Sequence, residues 1–304
     1  MILSIIIPTK DREPIFNKTL DYASQAIGHL HAEIIVVNDS KSSSPKIPEQ
    51  VANVKLLNNP KSGVASARNL GAKNSTGDLL LFLDNDILIS RQSIDHILAL
   101  HAQHENSAIN LNWTYTPAIQ KLLNDNYFGR FLEAHRLTSF KGWYQEPSWQ
   151  VDALFASSSV ASFHLSLSRS VFEQTGGYAE DFPHSGFEDY DFPKRLRKNG
   201  IGFYIDSRVS VYHNETDRLN IENWLLHQER RAATRKVAVN LGYQELELHY
   251  GLMKRGVLSI VNFFSAFELN ILKIWPNHKF FDPLCFKLIA IIQAARIYKG
   301  YTSK

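Results

Sequence analysis

The segment LLLFLDNDILIS places two carboxylates, Asp84 and Asp86, inside a run of large apolar residues. Burial of an unpaired charge is costly unless the group is neutralised, paired or bound to a metal ion. Two oxygen ligands one residue apart at the end of a buried strand suit Mg²⁺ or Mn²⁺, which complete their shells with phosphate oxygens. The alternative is a solvated turn in which each aspartate caps the local backbone.

Polar residues also follow the first two apolar segments of the chain. Pro8, Thr9 and Asp11 follow the first segment, and Asp39 follows the second. The carboxyl ends of parallel strands collect ligands at one edge, where an acid can bind ribose hydroxyls or a base N–H. Arg68 stands in GVASARNLG and could contact phosphate or base, although a surface salt bridge is the simpler interpretation.

A second acidic motif, GFEDYDF, contains three acids within four positions among aromatic residues. A carboxylate in partly apolar surroundings can gain a pKa suited to a general base. Alternatively, acids in the first turn of a helix complement its dipole, with basic residues further along. We assign Asp189 to chemistry and Glu188 or Asp191 to structure, and both interpretations can hold together.

Further candidates stand at a strand end and in a loop. His213, in SVYHNE, could complete a metal site begun by the second aspartate of the pair, or could be structural. Trp143, Trp149 and Asp152 are candidate contacts for the donor sugar or the acceptor, although all three could equally belong to the core. Glu188 is a fourth candidate of this kind.

Short elements must position these side chains. Four continuous apolar segments, LSIIIPT, AEIIVVNDS, NVKLLNN and GDLLLFLDND, predict strands that are covered on both faces. Helical patterns at 16–30 and after Ser62–Gly63 alternate with them, so an α/β fold with a mostly parallel mixed sheet is expected. The nucleotide-binding half would cover about 1–90.

The remainder of the chain is predicted less sharply. An acceptor half is expected over about 91–216, with loops and short helices at 90–150 after a first helix. A strand and helix closed by Gly176–Gly177 follow, then a helix to Gly200 and two short strands in IGFYIDSRVSVYHNE. Residues 217–304 form a C-terminal helical region in this prediction.

Composition limits the class of protein. The 304 residues are 44% hydrophobic and 21% charged, with a net charge of +3, so nucleic-acid binding is not expected. One cysteine, Cys285, excludes an internal disulfide and fits a reducing compartment. Neither a secretory signal nor a transmembrane run is apparent in the sequence, so a cytoplasmic location is expected.

Charge is distributed unevenly along the chain. Residues 218–304 contain 13 Lys+Arg against 6 Asp+Glu, whereas residues 1–217 contain 20 against 24. The basic, Phe- and Ile-rich tail predicts helices that pack on the catalytic domain or in a homodimer. The alternative is a surface that contacts the inner face of an anionic membrane near a lipid-linked acceptor.

In combination, these motifs resemble family 2 glycosyltransferases over about residues 1–215. The segments that carry the resemblance are SIIIPTKDR, EIIVVNDS, GVASARNLGAKNSTGDLLLFLDNDI, GGYAEDF and GFEDYDFPKRL. The resemblance implies the GT-A fold and an inverting transfer from a nucleotide-activated sugar, usually a UDP-sugar, with a divalent cation. It also implies an acceptor hydroxyl on a carbohydrate or a lipid-linked saccharide.

Site residues follow from the resemblance by position. Asp84 and Asp86 match the DxD motif, in which the second acid usually contacts the metal. Asp189 matches the acid that deprotonates the acceptor, and His213 matches a metal ligand of some members. The positions that match nucleotide contacts are Pro8, Thr9, Asp11, Asp39, Arg68 and Asp84.

The sequence also departs from the family pattern. Where many members have Gly-Gly-Phe-Asp-Glu, this chain has Gly176 to Glu180 as GGYAE, and His164 stands where an asparagine is frequent. These departures concern the acceptor side of the site.

Two other functions remain as alternatives, a sugar nucleotidyltransferase and a non-catalytic binding module, and the sequence argues against a dehydrogenase. A sugar nucleotidyltransferase would carry a Gly-rich phosphate loop after the first strand, where this chain has PTKDREP. A dehydrogenase would carry G-x-G-x-x-G in its first turn, which is also absent. A non-catalytic nucleotide- or sugar-binding module would not need both acidic motifs.

Overall fold

A computed structural model describes residues 2–48, 51, 53–145, 147–182, 186–274 and 276–303. The chain forms two compact units. The sheet unit comprises residues 1–116, 139–181 and 188–214, and the helical unit comprises residues 117–138, 182–187 and 215–304. The boundary expected near residue 216 stays a prediction, because the helical unit also takes two segments from earlier in the chain.

The described residues of the sheet unit form one nine-stranded sheet. Its strands are β1 (Leu3–Thr9), β2 (Ala32–Asn38), β3 (Val54–Asn58), β4 (Leu79–Leu83), β5 (Ile87–Leu88), β6 (Ser107–Tyr115), β7 (Leu154–Ala156), β8 (His164–Ser168) and β9 (Gly202–His213). The order is β3-β2-β1-β4-β8-β6-β9-β5, with β7 paired to β9. The β3-β2-β1-β4 part is parallel, whereas β8 is antiparallel to both β4 and β6.

Both units contain α-helices, which are numbered along the chain. They are α1 (Glu13–Ile27), α2 (Val64–Lys73), α3 (Arg91–Gln103), α4 (Pro117–Asn124), α5 (Tyr127–Ala134), α6 (Phe140–Tyr144), α7 (Arg169–Thr175), α8 (Glu188–Lys198), α9 (Ile221–Asn240), α10 (Leu252–Ile274) and α11 (Asp282–Thr302). In α3, the Ser90 side chain accepts the Ser93 N–H, and this cap begins the helix where the sequence predicts one. The α/β class and the C-terminal helices are confirmed.

The apolar runs of β1 and β4 are buried on both faces, whereas β3, at the edge of the sheet, is partly exposed and the prediction that it is covered on both faces is wrong. All seven residues of β1 and all five of β4 are buried, as the continuous apolar pattern predicts. One core lies between these strands and helices α2, α7 and α8, with Phe82, Phe172 and Phe192 among its large side chains. Helix α2 lies close to β1 because Gly71 faces Ile6, where a Cβ would collide with the isoleucine side chain.

Two elements differ from the sequence-based expectation. Strand β6 lies in a region predicted as loops, because SAINLNWTY carries polar residues. Its Asn110 is buried and satisfies its amide with the backbone of Ala161 and His164. The two strands predicted at 202–213 are one strand, β9, whose register shifts opposite Leu111 and Asn112. Buried Asp206, paired with His96 and Arg208, is the polar interruption that suggested two strands.

The helical unit has its own core and its own ion pairs. Phe131 of α5 packs edge-to-face on Trp224 of α9 and on Phe286 of α11. Arg130 donates to both carboxylate oxygens of Asp282 at 2.7 Å. No helix within the described ranges is both long enough and apolar enough to cross a bilayer.

Two buried histidines lie in the sheet unit. His101 of α3 shares a hydrogen bond of 2.9 Å with the Ser166 hydroxyl. His164 of β8 is fully buried, and neither of its ring nitrogens has a hydrogen-bond partner among the described residues. Burial lowers the pKa of each imidazole from 6.5 to about 4. Both side chains are therefore neutral in the folded protein at neutral pH.

Acidification should destabilise the fold through these histidines. Between pH 6.5 and about 4 the unfolded chain binds protons that the folded chain excludes, so the free energy of unfolding falls as pH falls. Each histidine contributes a slope of up to about 1.4 kcal/mol per pH unit. We expect His164→Leu to reduce the slope measured by urea unfolding across this range. The exposed His29 provides a matched control, His29→Leu; equal slopes in the two variants would contradict the assignment.

Candidate active site

The polar site lies at the edge of the sheet where β1, β2 and β4 end. The turn Asp84–Asn85–Asp86 connects β4 to β5, and the Ile87 N–H donates to the Asp84 carbonyl. Asn85 fixes this turn to the first strand, because its amide donates to the Thr9 hydroxyl at 3.0 Å. The structure therefore brings the tips of the first and fourth strands together, as expected.

Arg68 of α2 lies between the two acidic motifs. It is 2% exposed, and its guanidinium pairs with Asp84 at 2.7 Å and with Glu188 at 3.2 Å. The guanidinium also lies 5.2 Å from the centre of the Tyr178 ring. Burial alone would lower the arginine pKa, but the surrounding carboxylates outweigh it and raise the pKa. Arg68 is thus a buried bridge rather than a surface residue, and its contact with nucleotide stays a prediction.

The Asp84 carboxyl is exposed on one side and crowded by charge on the other. Burial raises its pKa, and the carboxylates of Asp86 and Asp189 act in the same direction. The Arg68 guanidinium opposes this effect, but the pKa of Asp84 remains raised. Asp189 is therefore close enough to Asp84 for their charges to interact.

Asp86 and His213 meet at the second half of the same turn. The Asn214 N–H donates to the Asp86 carbonyl at 2.7 Å, and β5 pairs Ile87 with His213. This register places the His213 Nδ1 atom 4.0 Å from Oδ1 of Asp86. The other carboxylate oxygen, Oδ2, accepts a 2.7 Å hydrogen bond from Arg12. The imidazole packs edge-to-face on Trp113.

The donor set of Asp86 and His213 fits a divalent cation. A carboxylate oxygen and an imidazole nitrogen are both ordinary ligands of Mn²⁺. Two metal–ligand bonds of about 2.1 Å span at most about 4.2 Å, so atoms 4.0 Å apart can share one ion with little movement. The pair that the sequence predicts as metal ligands is therefore brought together.

The three acids of the second motif have different partners at the start of α8. Glu188 pairs with Arg68, and Asp191 pairs with Arg195 one turn further along the helix. Asp189 accepts the Ser162 backbone N–H at 3.0 Å through Oδ1. Like charges within four positions are tolerated because each acid has a separate donor.

A small cleft lies beside β1 and β2, and two of the predicted nucleotide contacts, Thr9 and Asp11, line it. Asp39 accepts the Asn59 amide at 2.7 Å and the Gly63 N–H at 3.0 Å, and Lys10 lies 3.6 Å away. Asp11 is exposed, and hydrogen bonds from the Ser40 and Ser43 hydroxyls lower its pKa. The cleft is lined by Thr9, Asp11, Arg12, Asn38, Ser43 and Pro45.

Aromatic residues connect the predicted sugar contacts to the metal pair. Phe140 contacts the rings of both Trp143 and Trp149, and it packs edge-to-face on Phe163. Phe163 in turn lies 6.1 Å from the His213 ring, centre to centre. The tryptophans thus belong to an aromatic cluster that reaches the site.

Asp152 and Glu188 lie outside this aromatic cluster. Asp152 lies on an exposed turn. The hydrogen bond from Arg208 to Asp206 is the main cause of the raised pKa of Arg208, and the charge of Asp152 acts in the same direction. Glu188 is buried against Arg68, which favours its structural role over direct contact with a sugar.

Two residues of this site, Arg12 and Tyr178, were not predicted from the sequence. Arg12 contacts Asp86, and Tyr178 donates its hydroxyl to Ser162 beside Asp189. Arg12 follows the first strand by three residues, so the rule that strand ends meet at one edge could have found it. Tyr178 carried no such signal, because it comes after α7 and only the fold brings it to Arg68.

A larger cavity, of about 230 Å³, lies in the helical unit. It is lined by Glu222, Leu225, Leu226, Leu269 and Arg296. Its lining lacks the paired acids of the sheet edge, so it is not the candidate active site.

The N-terminal region of this chain is similar to a known protein family. Residues 4–148 match the sequence profile of glycosyl transferase family 2. Validoxylamine A glucosyltransferase of Streptomyces hygroscopicus subsp. limoneus is 27% identical over 255 residues, which cover 75% of this chain and 56% of the relative. The chain spans between 56% and 62% of the length of three curated relatives that it matches.

Solved structures share the fold. The mannosyltransferase PcManGT from Pyrobaculum calidifontis, solved with GDP-Man and Mn²⁺, superposes with a TM-score of 0.58 at 15% identity, covering 99% of this chain and 88% of that one. S. aureus TarS 1-349, solved with UDP, has a TM-score of 0.51 at 15% identity, covering 99% and 91%. Residues 4–148, which include the acidic turn Asp84–Asn85–Asp86, are therefore similar to glycosyl transferase family 2, and the solved structures show the same fold.

Proposed function

We propose that this protein transfers a sugar from a nucleoside-diphosphate donor to an acceptor hydroxyl, with inversion at the anomeric carbon and with a divalent cation. The observation that carries the proposal is the bridge made by Arg68. One buried guanidinium holds Asp84 of the first acidic motif and Glu188 of the second. Asp189, the next residue, therefore lies beside the same sheet edge as the cation ligands.

A UDP-sugar is the proposed donor. Thr9 and Asp11 line the small cleft beside β1 and β2. Pro8 belongs to the end of β1, and Asp39 and Asp84 directly follow β2 and β4. These five residues would contact the nucleotide. The free lone pairs of the Asp39 carboxylate can accept from a base N–H or a ribose hydroxyl. The solved relatives support a nucleotide-bound donor, since TarS was solved with UDP and PcManGT with GDP-Man.

Mn²⁺ or Mg²⁺ is the proposed cofactor, held by Asp86 and His213. Glu215, two residues beyond His213 in the sequence, is a third candidate ligand. When bound, the cation would act as a Lewis acid that stabilises the negative charge developing on the departing diphosphate. The Mn²⁺ in the PcManGT complex supports this assignment.

Asp189 is the proposed general base. The Ser162 N–H donates to its Oδ1 atom, which fixes the orientation of the carboxylate. Oδ2 of Asp189 would accept the proton of the acceptor hydroxyl as that oxygen attacks the anomeric carbon. Such an in-line attack needs no enzyme nucleophile and inverts the stereochemistry.

The acceptor is proposed to be a carbohydrate or a lipid-linked saccharide. Trp143 is partly exposed at the aromatic cluster, and an exposed indole face is suited to stacking on a sugar ring. Trp149 supports that surface from within the cluster through its contacts with Phe140 and Phe155. Asp152, on the exposed turn nearby in sequence, remains a candidate hydrogen-bond partner for sugar hydroxyls.

The two alternatives lead to different products. A sugar nucleotidyltransferase would release pyrophosphate from a nucleoside triphosphate, whereas the proposed enzyme releases UDP from a UDP-sugar. A non-catalytic binding module would bind UDP-sugar without releasing UDP, with or without an acceptor. Quantifying both products with a panel of donors and acceptors separates the three.

Removal of the general base should abolish transfer while donor binding remains. We expect Asp189→Asn to lower the rate of UDP release by about 10²- to 10⁴-fold, because the amide cannot accept the acceptor proton. UDP affinity in the presence of Mn²⁺, measured by calorimetry, should change little. Asp95→Asn on the surface of α3 is the matched control. Wild-type turnover in Asp189→Asn would exclude this residue as the base.

Loss of either proposed cation ligand should weaken metal-dependent nucleotide binding. We expect Asp86→Asn and His213→Gln each to reduce UDP affinity with Mn²⁺ by about tenfold to a hundredfold. With EDTA present, the variants and the wild type should bind UDP equally weakly. Controls are Asp95→Asn and His29→Gln, which alter exposed side chains. Calorimetry that gives unchanged affinity with Mn²⁺ for both ligand variants would rule out this cation site.

A further inference from the structure

Helix α10 carries a row of large apolar side chains that face solvent. Four of these side chains are largely exposed: Met253 (85%), Ile260 (61%), Phe263 (82%) and Ile274 (84%). Val257 (54%) and Phe264 (50%) are about half exposed. Exposed apolar side chains are ordinary when scattered, but a contiguous set of this size indicates an interaction surface. Together these six residues form the α10 row.

The α10 row lies on a single face of the helix. Successive members are separated by four, three, three, one and ten positions, which keeps them within one side of a helix with 3.6 residues per turn. The residues of α10 that are buried in the helical unit, Leu258, Leu269 and Leu272 among them, fall on the opposite side. Helix α10 is therefore apolar on both faces, and the core of its own unit uses only one of them.

Basic residues stand at both ends of the α10 row. Lys254 and Arg255 lie in its first turn, and Lys273 and Lys279 lie at and beyond its last turn. From His249 to the chain end the sequence contains 8 Lys+Arg against 2 Asp+Glu. Lys273, Arg296 and Lys299 form ion pairs with Glu222 and Glu229 of α9, so the positive charge beside the apolar row rests on Lys254, Arg255 and Lys279.

We propose that the α10 row binds the surface of an anionic lipid bilayer, with α10 lying in the plane of the interface. The apolar side chains would enter the boundary between headgroups and acyl chains, and the flanking lysines and arginine would contact lipid phosphates. This inference concerns an interaction surface and does not depend on the proposed transfer reaction. Binding to the bilayer would place the protein at the membrane, where a lipid-linked acceptor would also lie.

Charge argues against a second copy of this chain as the occupant. Pairing two α10 rows would bring the basic ends of two copies, with Lys254, Arg255 and Lys279, towards one another, and the resulting repulsion opposes close contact. An anionic bilayer presents the opposite sign to the same surface. Charge complementarity therefore favours lipid.

Vesicle flotation of the full chain tests the proposal. Vesicles of phosphatidylcholine mixed with phosphatidylglycerol should carry the protein at low salt, and pure phosphatidylcholine vesicles should carry much less. We expect the double substitution Ile260→Ser, Phe263→Ser to reduce binding to the mixed vesicles by about tenfold or more. Lys254→Gln, Lys279→Gln should reduce binding and make it less sensitive to salt.

Matched controls keep the result interpretable. Leu122→Ser changes an exposed leucine of α4 in the same unit, and it should float like the wild type. Circular dichroism melting checks that each variant is folded; the sites chosen in α10 are solvent-exposed. Failure of the wild type to float with anionic vesicles, or equal flotation of the Ile260/Phe263 variant, would overturn the proposal. So would light scattering that shows a dimer which this variant dissociates, because the row would then belong to a second copy.

Discussion

A buried guanidinium, that of Arg68, is the constraint on which the candidate site depends. Asp84, Glu188 and Asp189 come from two distant parts of the chain, and their negative charges would repel one another at one sheet edge. Arg68 pairs with the first two at 2.7 and 3.2 Å while being almost fully buried. A buried charge network of this kind adds little net stability, yet removal of one member leaves others without compensation. Its effect is to fix which acids lie together, because any other arrangement leaves a charge unpaired.

The backbone that presents Arg68 is as constrained as its side chain. Helix α2 begins after Gly63, whose N–H donates to Asp39, and Gly71 allows the helix to lie directly against Ile6 of β1. The first strand, the second strand tip and the arginine are thereby positioned by one short helix. Since Asp39 also accepts from Asn59, the tip of β2 and the acidic site share this scaffold. The close approach of α2 to β1 at Gly71 therefore determines the distance between the strand ends and Arg68.

The sequence predicted the parallel half of the sheet well, because its strands are continuous apolar runs that end in polar tips. It failed for β6, where Asn110 is buried by hydrogen bonds to a loop 51 residues away, and for β9, where buried Asp206 interrupts a single strand. Periodicity cannot detect polar residues whose partners come from distant segments. The same limit applies to the site: strand-end rules located Asp84, Asp86 and Asp39, but not the pairing of Arg68 with Glu188.

The two oxygens of the Asp86 carboxylate have different surroundings, and this difference matters for the proposed cation site. Oδ2 accepts from Arg12 at 2.7 Å, while Oδ1 lies 4.0 Å from the His213 imidazole. Asn85, in the same turn, also accepts from Arg12, so the arginine orients two successive residues of the motif. A carboxylate held through one oxygen loses little rotational freedom when the other binds a ligand, which lowers the entropic cost of binding. The cost of placing Asp86 inside an apolar run is thus compensated by an arginine from the first strand end, before any cation contributes.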